Sequence, residues 1–209
     1  MSFEAAGRRY ARIATNLAVR SPRLWRLLRP LLRLEFEHIA PTWDSMRSEG
    51  AFAPYEAALA RIETAPRRAL DVGTGTGTGA FALARRFPHA EVVGADMAEA
   101  MIAEARRKMP DDLRGRVRFD VADAAALPYE DESFDVVALG NMIPFFDELD
   151  RVLARGGSML FAFSSGADTP IYVPSDKLRS ELAGRGLTDF AEISAGAGTA
   201  LLARKPRHP

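Results

Sequence analysis

Apolar and polar positions follow two regimes along this chain. Through residue 65 the apolar residues recur at helical spacing, and beyond it short apolar runs alternate with amphipathic stretches. Residues 3–20 predict a helix that Ser21-Pro22 interrupts. Residues 23–39, RLWRLLRPLLRLEFEHI, predict another, with Pro30 placed to kink or split it. A third helical run over 43–64 is broken at Gly50 and Pro54. Past Pro66 the segments RALDV, EVVGAD, RVRFDVAD, SFDVVALG and SMLFAF read as strands. Helices are expected between them over 77–87, 98–109 and 144–154. PSDKLRSELAGRG opens on an N-cap candidate, Ser175 or Asp176, and stops at a glycine. The runs 188–194 and 199–203, split by AGAG, predict a hairpin.

Apolar strands that alternate with helices imply a parallel sheet covered on both faces. The expected fold is therefore α/β: a doubly wound, mostly parallel, seven-stranded sheet with a C-terminal antiparallel hairpin strand and an N-terminal helical cap. Residues 1–65 form the cap in this reading, and 66–209 the main domain. A ligand belongs beyond the carboxyl ends of the strands, near the switch point of strand order.

Composition narrows this picture mainly by exclusion. The chain of 209 residues is 47% hydrophobic and 27% charged, an ordinary globular balance. It has no cysteine, which excludes disulfides, thiolate metal sites and a cysteine nucleophile. No metal site is expected. Net charge is zero, yet residues 1–33 carry eight Arg against one acid, Glu4. No window reads as a signal peptide or a membrane span, so a cytoplasmic protein is expected.

The glycine-rich stretch RALDVGTGTGTGAFALARRF, residues 68–87, carries the first chemical signal. Gly75-x-Gly77-x-x-Ala80 satisfies a dinucleotide fingerprint, but it starts late after the strand. Asp71-x-Gly73-x-Gly75-x-Gly77 starts on the last strand residues. Glycines there let the backbone approach a ligand, and the following helix points amides at a carboxylate. Asp71 puts a negative charge under the loop, which suits an ammonium and is costly beside a pyrophosphate. The loop thus favours an amino-acid-like cofactor. Asp96 ends the next strand, placed to accept from ribose hydroxyls or to cap the helix after it. Met97 beside it suits an adenine face or core packing.

The pieces LDVGTGTGTG, VVGAD, DAAALPYEDESFDVV and LDRVLARGGSMLFAF occur in an order and spacing that resembles the class I methyltransferases using S-adenosyl-L-methionine. Within that family the resemblance is to the group of quinone-biosynthesis and small-molecule methyltransferases, over residues 68–165. It implies that Asp71, Gly73, Thr74, Gly75 and Gly77 hold the methionine part. It implies Asp96 on the ribose, Met97 beside the adenine, Asp123 accepting from the adenine amino group, and the Ala124 amide on the ring. Gly140 and Asn141 would border the transferable methyl group.

The acceptor is expected to be a small, apolar molecule. No general base is demanded by the sequence; Asp168 and Tyr172, after the fifth strand, and His38, ahead of the main domain, are the weak candidates. His89 and His208 read as inert, and Trp43 and Tyr55 either cap the cleft or pack the N-terminal helices. Arg23, Arg26, Arg29 and Arg33 share one helical face. That face is either solvated, with the leucines turned to the sheet or acceptor pocket, or it touches an anionic membrane. Nucleic acid is disfavoured by the acidic remainder. The alternatives are an RNA methyltransferase, a non-catalytic cofactor-binding module and a hydride-transferring dehydrogenase.

Overall fold

The computed structural model describes residues 22–207, so the helix expected over 3–20 lies outside the described residues. The seven strands are β1 (Arg68–Val72), β2 (Glu91–Asp96), β3 (Val117–Val121), β4 (Phe134–Gly140), β5 (Leu153–Phe163), β6 (Thr188–Ala195) and β7 (Gly198–Arg204). They form one sheet in the order β3-β2-β1-β4-β5-β7-β6. β1 to β5 run parallel, and β7 inserts antiparallel between β5 and β6. Strand order reverses between β1 and β4, so the glycine loop after β1 opens at the switch point.

The helices are α1 (Pro22–Ile39), α2 (Ala53–Ala60), α3 (Thr78–Arg86), α4 (Glu99–Arg107), α5 (Phe146–Val152) and α6 (Ser175–Ala183). Alternate residues of the buried strands face opposite layers. Ala69, Val92, Val136, Ala138 and Leu160 pack with residues of α2, α3 and α4. Leu70, Val93, Val137, Leu139 and Phe161 pack with Phe146 and Leu149 of α5 and Leu178 and Leu182 of α6. The result is the expected three-layer, doubly wound sheet closed by an antiparallel hairpin. Gly196, at φ 57, supports the tight turn of that hairpin.

Three local readings change. Pro30 does not split the second helix; α1 runs through it on the exposed side, where water can take the carbonyl that Pro30 leaves unbonded. The run 43–64 divides into a 3₁₀ turn, Ala40–Met46, and the short α2. Strand β5 begins at Leu153, five residues before SMLFAF, and its pairing with β4 shifts register between Phe134 and Val136. Tyr55, Ala58, Leu59 and Ile62 belong to the same core as the strands, so the division expected at residue 65 runs through shared packing.

Candidate cofactor site

The loop after β1 is pinned to its neighbour: the amides of Gly73 and Thr74 both donate to the Ala95 carbonyl, at 2.8 and 3.0 Å. Two hollows flank this loop. The first, about 630 Å³, is largely apolar and is lined by Trp25, Phe36, Trp43, Met97, Leu127 and Met142, with Asp96 at the loop side. The second, about 1480 Å³, is more polar and includes Arg47, Tyr55, Asp71, Thr74, Thr78 and Ser164. Gly73, Gly75, Gly140, Asn141 and Trp43 border both.

Each glycine of the loop has its own reason. A Cβ on Gly73, at φ 69, would lie 2.6 Å from the Met142 sulfur, and one on Gly75, at φ 52, 3.3 Å from Trp43 Nε1. These two keep the loop open toward the hollows. Gly77 has a different task. At φ 91, its Cβ would meet Phe119 Cζ at 2.8 Å, so it lets α3 settle on the sheet and lines neither hollow. Packing alone therefore accounts for a glycine at this position.

Asp71 is buried at the end of β1. It accepts hydrogen bonds from Tyr55 Oη at 2.8 Å and from Thr74 Oγ1 at 2.6 Å. Burial pushes its pKa up to about 6, against the lowering effect of Thr74, Tyr55 and the Ala80 amide. Burial and the same contact with Asp71 raise the Tyr55 hydroxyl. Asp96 joins the loop to the next helix: Oδ2 accepts from the Gly75 amide at 2.9 Å, and Oδ1 from the Ala98 amide at 3.0 Å. Burial raises its pKa despite those amides. Capping and a further hydrogen bond are compatible, since the Gly75, Ala98 and Met97 amides leave one of the roughly four acceptor positions of the carboxylate open.

Asp123 follows β3 but does not line either hollow, although Ala122 and Ala124 line the first. Its Oδ1 accepts from Trp25 Nε1 at 3.0 Å and from the Ala125 amide at 2.9 Å, and its Oδ2 from Arg29 at 2.7 Å. Helix α1 therefore clasps the edge of the apolar hollow. The three carboxylates stand at the ends of adjacent strands, but Asp96 faces the first hollow, Asp71 the second, and Asp123 the clasp. Below them, Arg151 donates to the carbonyls of Leu127 and Tyr129 and fastens the loop that carries Ala124 and Leu127.

Asn141 sits at φ 50 just past β4, a conformation Asn tolerates better than most residues. Its side chain bridges to Ser164 in both directions, accepting from the Ser164 amide and donating to Oγ, at 2.9 Å each. The three weak base candidates lie elsewhere. Asp168 and His38 are exposed, Tyr172 packs edge-on against Phe163 at 5.1 Å, and none lines either hollow.

The sequence reading missed Trp25, Phe36, Arg47 and Met142. For Trp43 and Tyr55 it left capping of the cleft and packing open, and both descriptions hold: they line the second hollow, while Tyr55 belongs to the core and Trp43 packs with Phe36 and Met101. Arg47 follows the 3₁₀ turn and donates through Nη2 to Asp44 at 2.8 Å, Thr76 at 3.2 Å and Thr78 at 2.7 Å. Asp44 also accepts from Thr76 and Lys108. Burial would raise the Asp44 pKa, but these partners hold it at about 2. Among the described residues no cluster of His, Cys, Asp or Glu suits a metal ion. No helix among them is long and apolar enough to cross a membrane.

The chain is similar to known methyltransferases over its central part. Residues 69–160 match the family described as methyltransferase domain. A demethylmenaquinone methyltransferase of Thermus thermophilus is 44% identical over 138 residues, 60% of this chain and 62% of the relative. A malonyl-[acyl-carrier protein] O-methyltransferase of Halorhodospira halophila is 40% identical over 108 residues, 48% of this chain and 36% of the relative. The chain thus spans less than two thirds of the length of these relatives. Among solved structures, the Haloferax volcanii chain determined with the Trm112 methyltransferase activator has a TM-score of 0.67 at 19% identity, covering 82% of this chain and 98% of that one. At that identity the likeness speaks for the fold alone.

Proposed function

With residues 69–160 matching the methyltransferase-domain family, we propose that this chain is an S-adenosyl-L-methionine-dependent methyltransferase acting on a small, apolar molecule. One observation carries the reading: a single glycine loop divides an apolar hollow edged by Asp96 from a polar hollow edged by Asp71. A nucleoside fits the first and a charged amino acid the second, and the cofactor joins the two. A dinucleotide would instead bring its pyrophosphate to the loop beneath which Asp71 is buried, an unfavourable meeting of like charges.

When bound, the cofactor supplies an activated methyl group on a sulfonium. The chain's residues then bind and orient. Asp96 would accept from ribose hydroxyls, with each charge-assisted bond contributing about 1.5–3 kcal/mol. Met97, Ala124 and Leu127 would flank the adenine, and release of Asp123 from Arg29 would give the adenine amino group an acceptor. Gly73, Thr74 and Gly75, over the buried Asp71, would hold the methionine part. Gly140 and Asn141 would border the reacting end. Holding the partners in line is worth about 7–11 kcal/mol, which leaves no requirement for a base. The relatives named for demethylmenaquinone, malonyl-[acyl-carrier protein] and trans-aconitate support a small acceptor.

Contact with an anionic membrane belongs to the same proposal. Leu27, Leu31 and Leu34 recur along α1 and are 74, 61 and 66% exposed, beside exposed Arg26 and Arg33. The leucines expected to turn inward are thus divided, with Leu28 and Leu32 half-buried. Trp25, Arg29 and Phe36 supply most of the site-side face.

Calorimetry with S-adenosyl-L-methionine, S-adenosylhomocysteine and NAD tests the cofactor. The expected result is binding of the first two and not NAD; the reverse would replace methyl transfer with hydride transfer. Binding without turnover on any acceptor would favour a non-catalytic module.

A further inference from the structure

We infer that Arg29 is a switch residue that exchanges Asp123 for the head groups of an anionic membrane, so that membrane contact readies the cofactor site; the inference rests on the cofactor and membrane readings proposed above. Asp123 divides its two oxygens between different holders. Oδ1 is kept by Trp25 Nε1 at 3.0 Å and by the Ala125 amide at 2.9 Å. Among the described residues Oδ2 is held by Arg29 Nη1 alone, at 2.7 Å. The Arg29 side chain is 49% exposed, against 19% for Asp123. An ion pair so open to water is weak and is readily exchanged for another anion. Oδ2 is therefore the oxygen that can change partner while Oδ1 stays tied to its neighbours.

The helix that carries Arg29 has two opposed faces and a basic flank. Trp25, Leu32 and Phe36 turn inward, and Trp25 and Phe36 line the apolar hollow. Leu27, Leu31 and Leu34 recur on the opposite face and are exposed. Arg26, Arg29 and Arg33 follow at spacings of three and four and form the flank between these faces. Arg33 is paired to Glu37 on the same helix, and Glu35 is exposed on the other flank. An anionic surface that receives the leucines meets Arg26 and Arg33 at once, but gains the full charge of Arg29 only when Asp123 releases it. This difference biases the exchange, since a surface that bound both states equally would shift nothing. The released Oδ2 follows Ala122 and precedes Ala124, both on the wall of the apolar hollow, where it is the acceptor proposed for the adenine amino group. Lipid and cofactor thus favour the same state, with Arg29 and Asp123 apart. The surface that would deliver an apolar acceptor would also prepare the chain for its methyl donor.

Titration calorimetry with S-adenosylhomocysteine tests the exchange on the full chain, Arg29→Gln and Arg29→Lys. Each is titrated in buffer, with phosphatidylcholine vesicles, and with vesicles that also contain phosphatidylglycerol. The anionic vesicles are expected to tighten wild-type affinity by about fivefold, the size expected of one arginine released to an anionic surface, and the neutral ones by less than about twofold. Arg29→Gln should bind more tightly than wild type in buffer and gain less than about twofold from the anionic vesicles. Lysine can make the same single-nitrogen pair, so Arg29→Lys should restore the response. Linkage requires S-adenosylhomocysteine to raise wild-type affinity for anionic vesicles, read by co-sedimentation, by the same factor. No wild-type binding of S-adenosylhomocysteine would remove the cofactor reading, and this inference with it. Absence of vesicle binding, with the leucines covered instead by a second copy in analytical centrifugation, would do the same through the membrane reading. Where both bindings stand, an unchanged affinity on anionic vesicles, or an equal gain by Arg29→Gln, overturns the exchange itself. So does weaker binding by Arg29→Gln in buffer, which would make Arg29 a brace of the wall.

Discussion

Asp71→Asn should make the ligand-free protein more stable at neutral and alkaline pH. The buried carboxyl titrates at about 6 in the fold against 3.8 as the ordinary value. Because its folded pKa is raised, ionisation favours the unfolded chain. The penalty is absent below about pH 4, grows as pH rises through the interval, and is complete above about pH 6. A gap of about 2 units corresponds to about 3 kcal/mol. Asparagine keeps the shape and can still accept from Tyr55, but it loses the charge-assisted strength of the Tyr55 and Thr74 bonds. The net expectation is a gain of about 1–3 kcal/mol at about pH 8 that shrinks toward zero near pH 4. Urea denaturation of both proteins across that range reads it directly, and subtraction cancels the other titrating groups. A variant less stable than wild type at pH 8, or a difference that stays flat with pH, would refute the reasoning. On the proposed role, the same variant binds S-adenosylhomocysteine more weakly, so the stability forgone at Asp71 would be tied to ligand binding.

Asp96→Ala is expected to weaken S-adenosylhomocysteine binding by about tenfold or more, and unaltered affinity in a calorimeter would count against the ribose role. Gly77→Ala should cost about 1–3 kcal/mol in urea denaturation through its φ of 91 and the close Phe119 ring, while the folded variant keeps its affinity. A stability change below about 0.5 kcal/mol would show that Phe119 yields freely. If α1 meets lipid through its outward leucines, joint replacement of Leu27, Leu31 and Leu34 by Gln should reduce co-sedimentation with anionic vesicles; equal sedimentation of variant and wild type would dismiss that contact.

Strand and helix periodicity made the sheet legible because β2, β4 and β5 carry short, largely apolar runs and the edge strand β3 alternates apolar with charged residues. RALDV and EVVGAD match β1 and β2 residue for residue. The positions of Asp71, Gly73, Gly75 and Asp96 follow for a related reason: local backbone geometry sets them at or just past strand ends, where they border the two hollows. Asp123 illustrates the limit. Its position after β3 follows from the sequence, but its partners Trp25 and Arg29 lie 98 and 94 residues earlier. No periodic signal carries a pairing of that range. Arg47 was hidden among many arginines, since only the folded chain reveals which one reaches Thr76 and Thr78 beside the glycine loop. The leucines of α1 divide between covered and exposed positions, because periodicity identifies a stripe without saying which side of the helix the rest of the protein covers.

Helix α4 begins without a capping side chain of its own at Ala98, and its first amides, those of Glu99 and Ala100, donate instead to the two oxygens of Glu37, at 2.8 Å each. An acid on α1 thus completes the start of the helix that follows Asp96 and Met97. The front of the chain is therefore not an interchangeable cover. Exchanging it for an unrelated helical segment would leave two amides bare and loosen the wall beside the ribose position, even with every glycine of the loop intact. A lineage that rebuilt this region for a new acceptor would have to carry a carboxylate across at the same height.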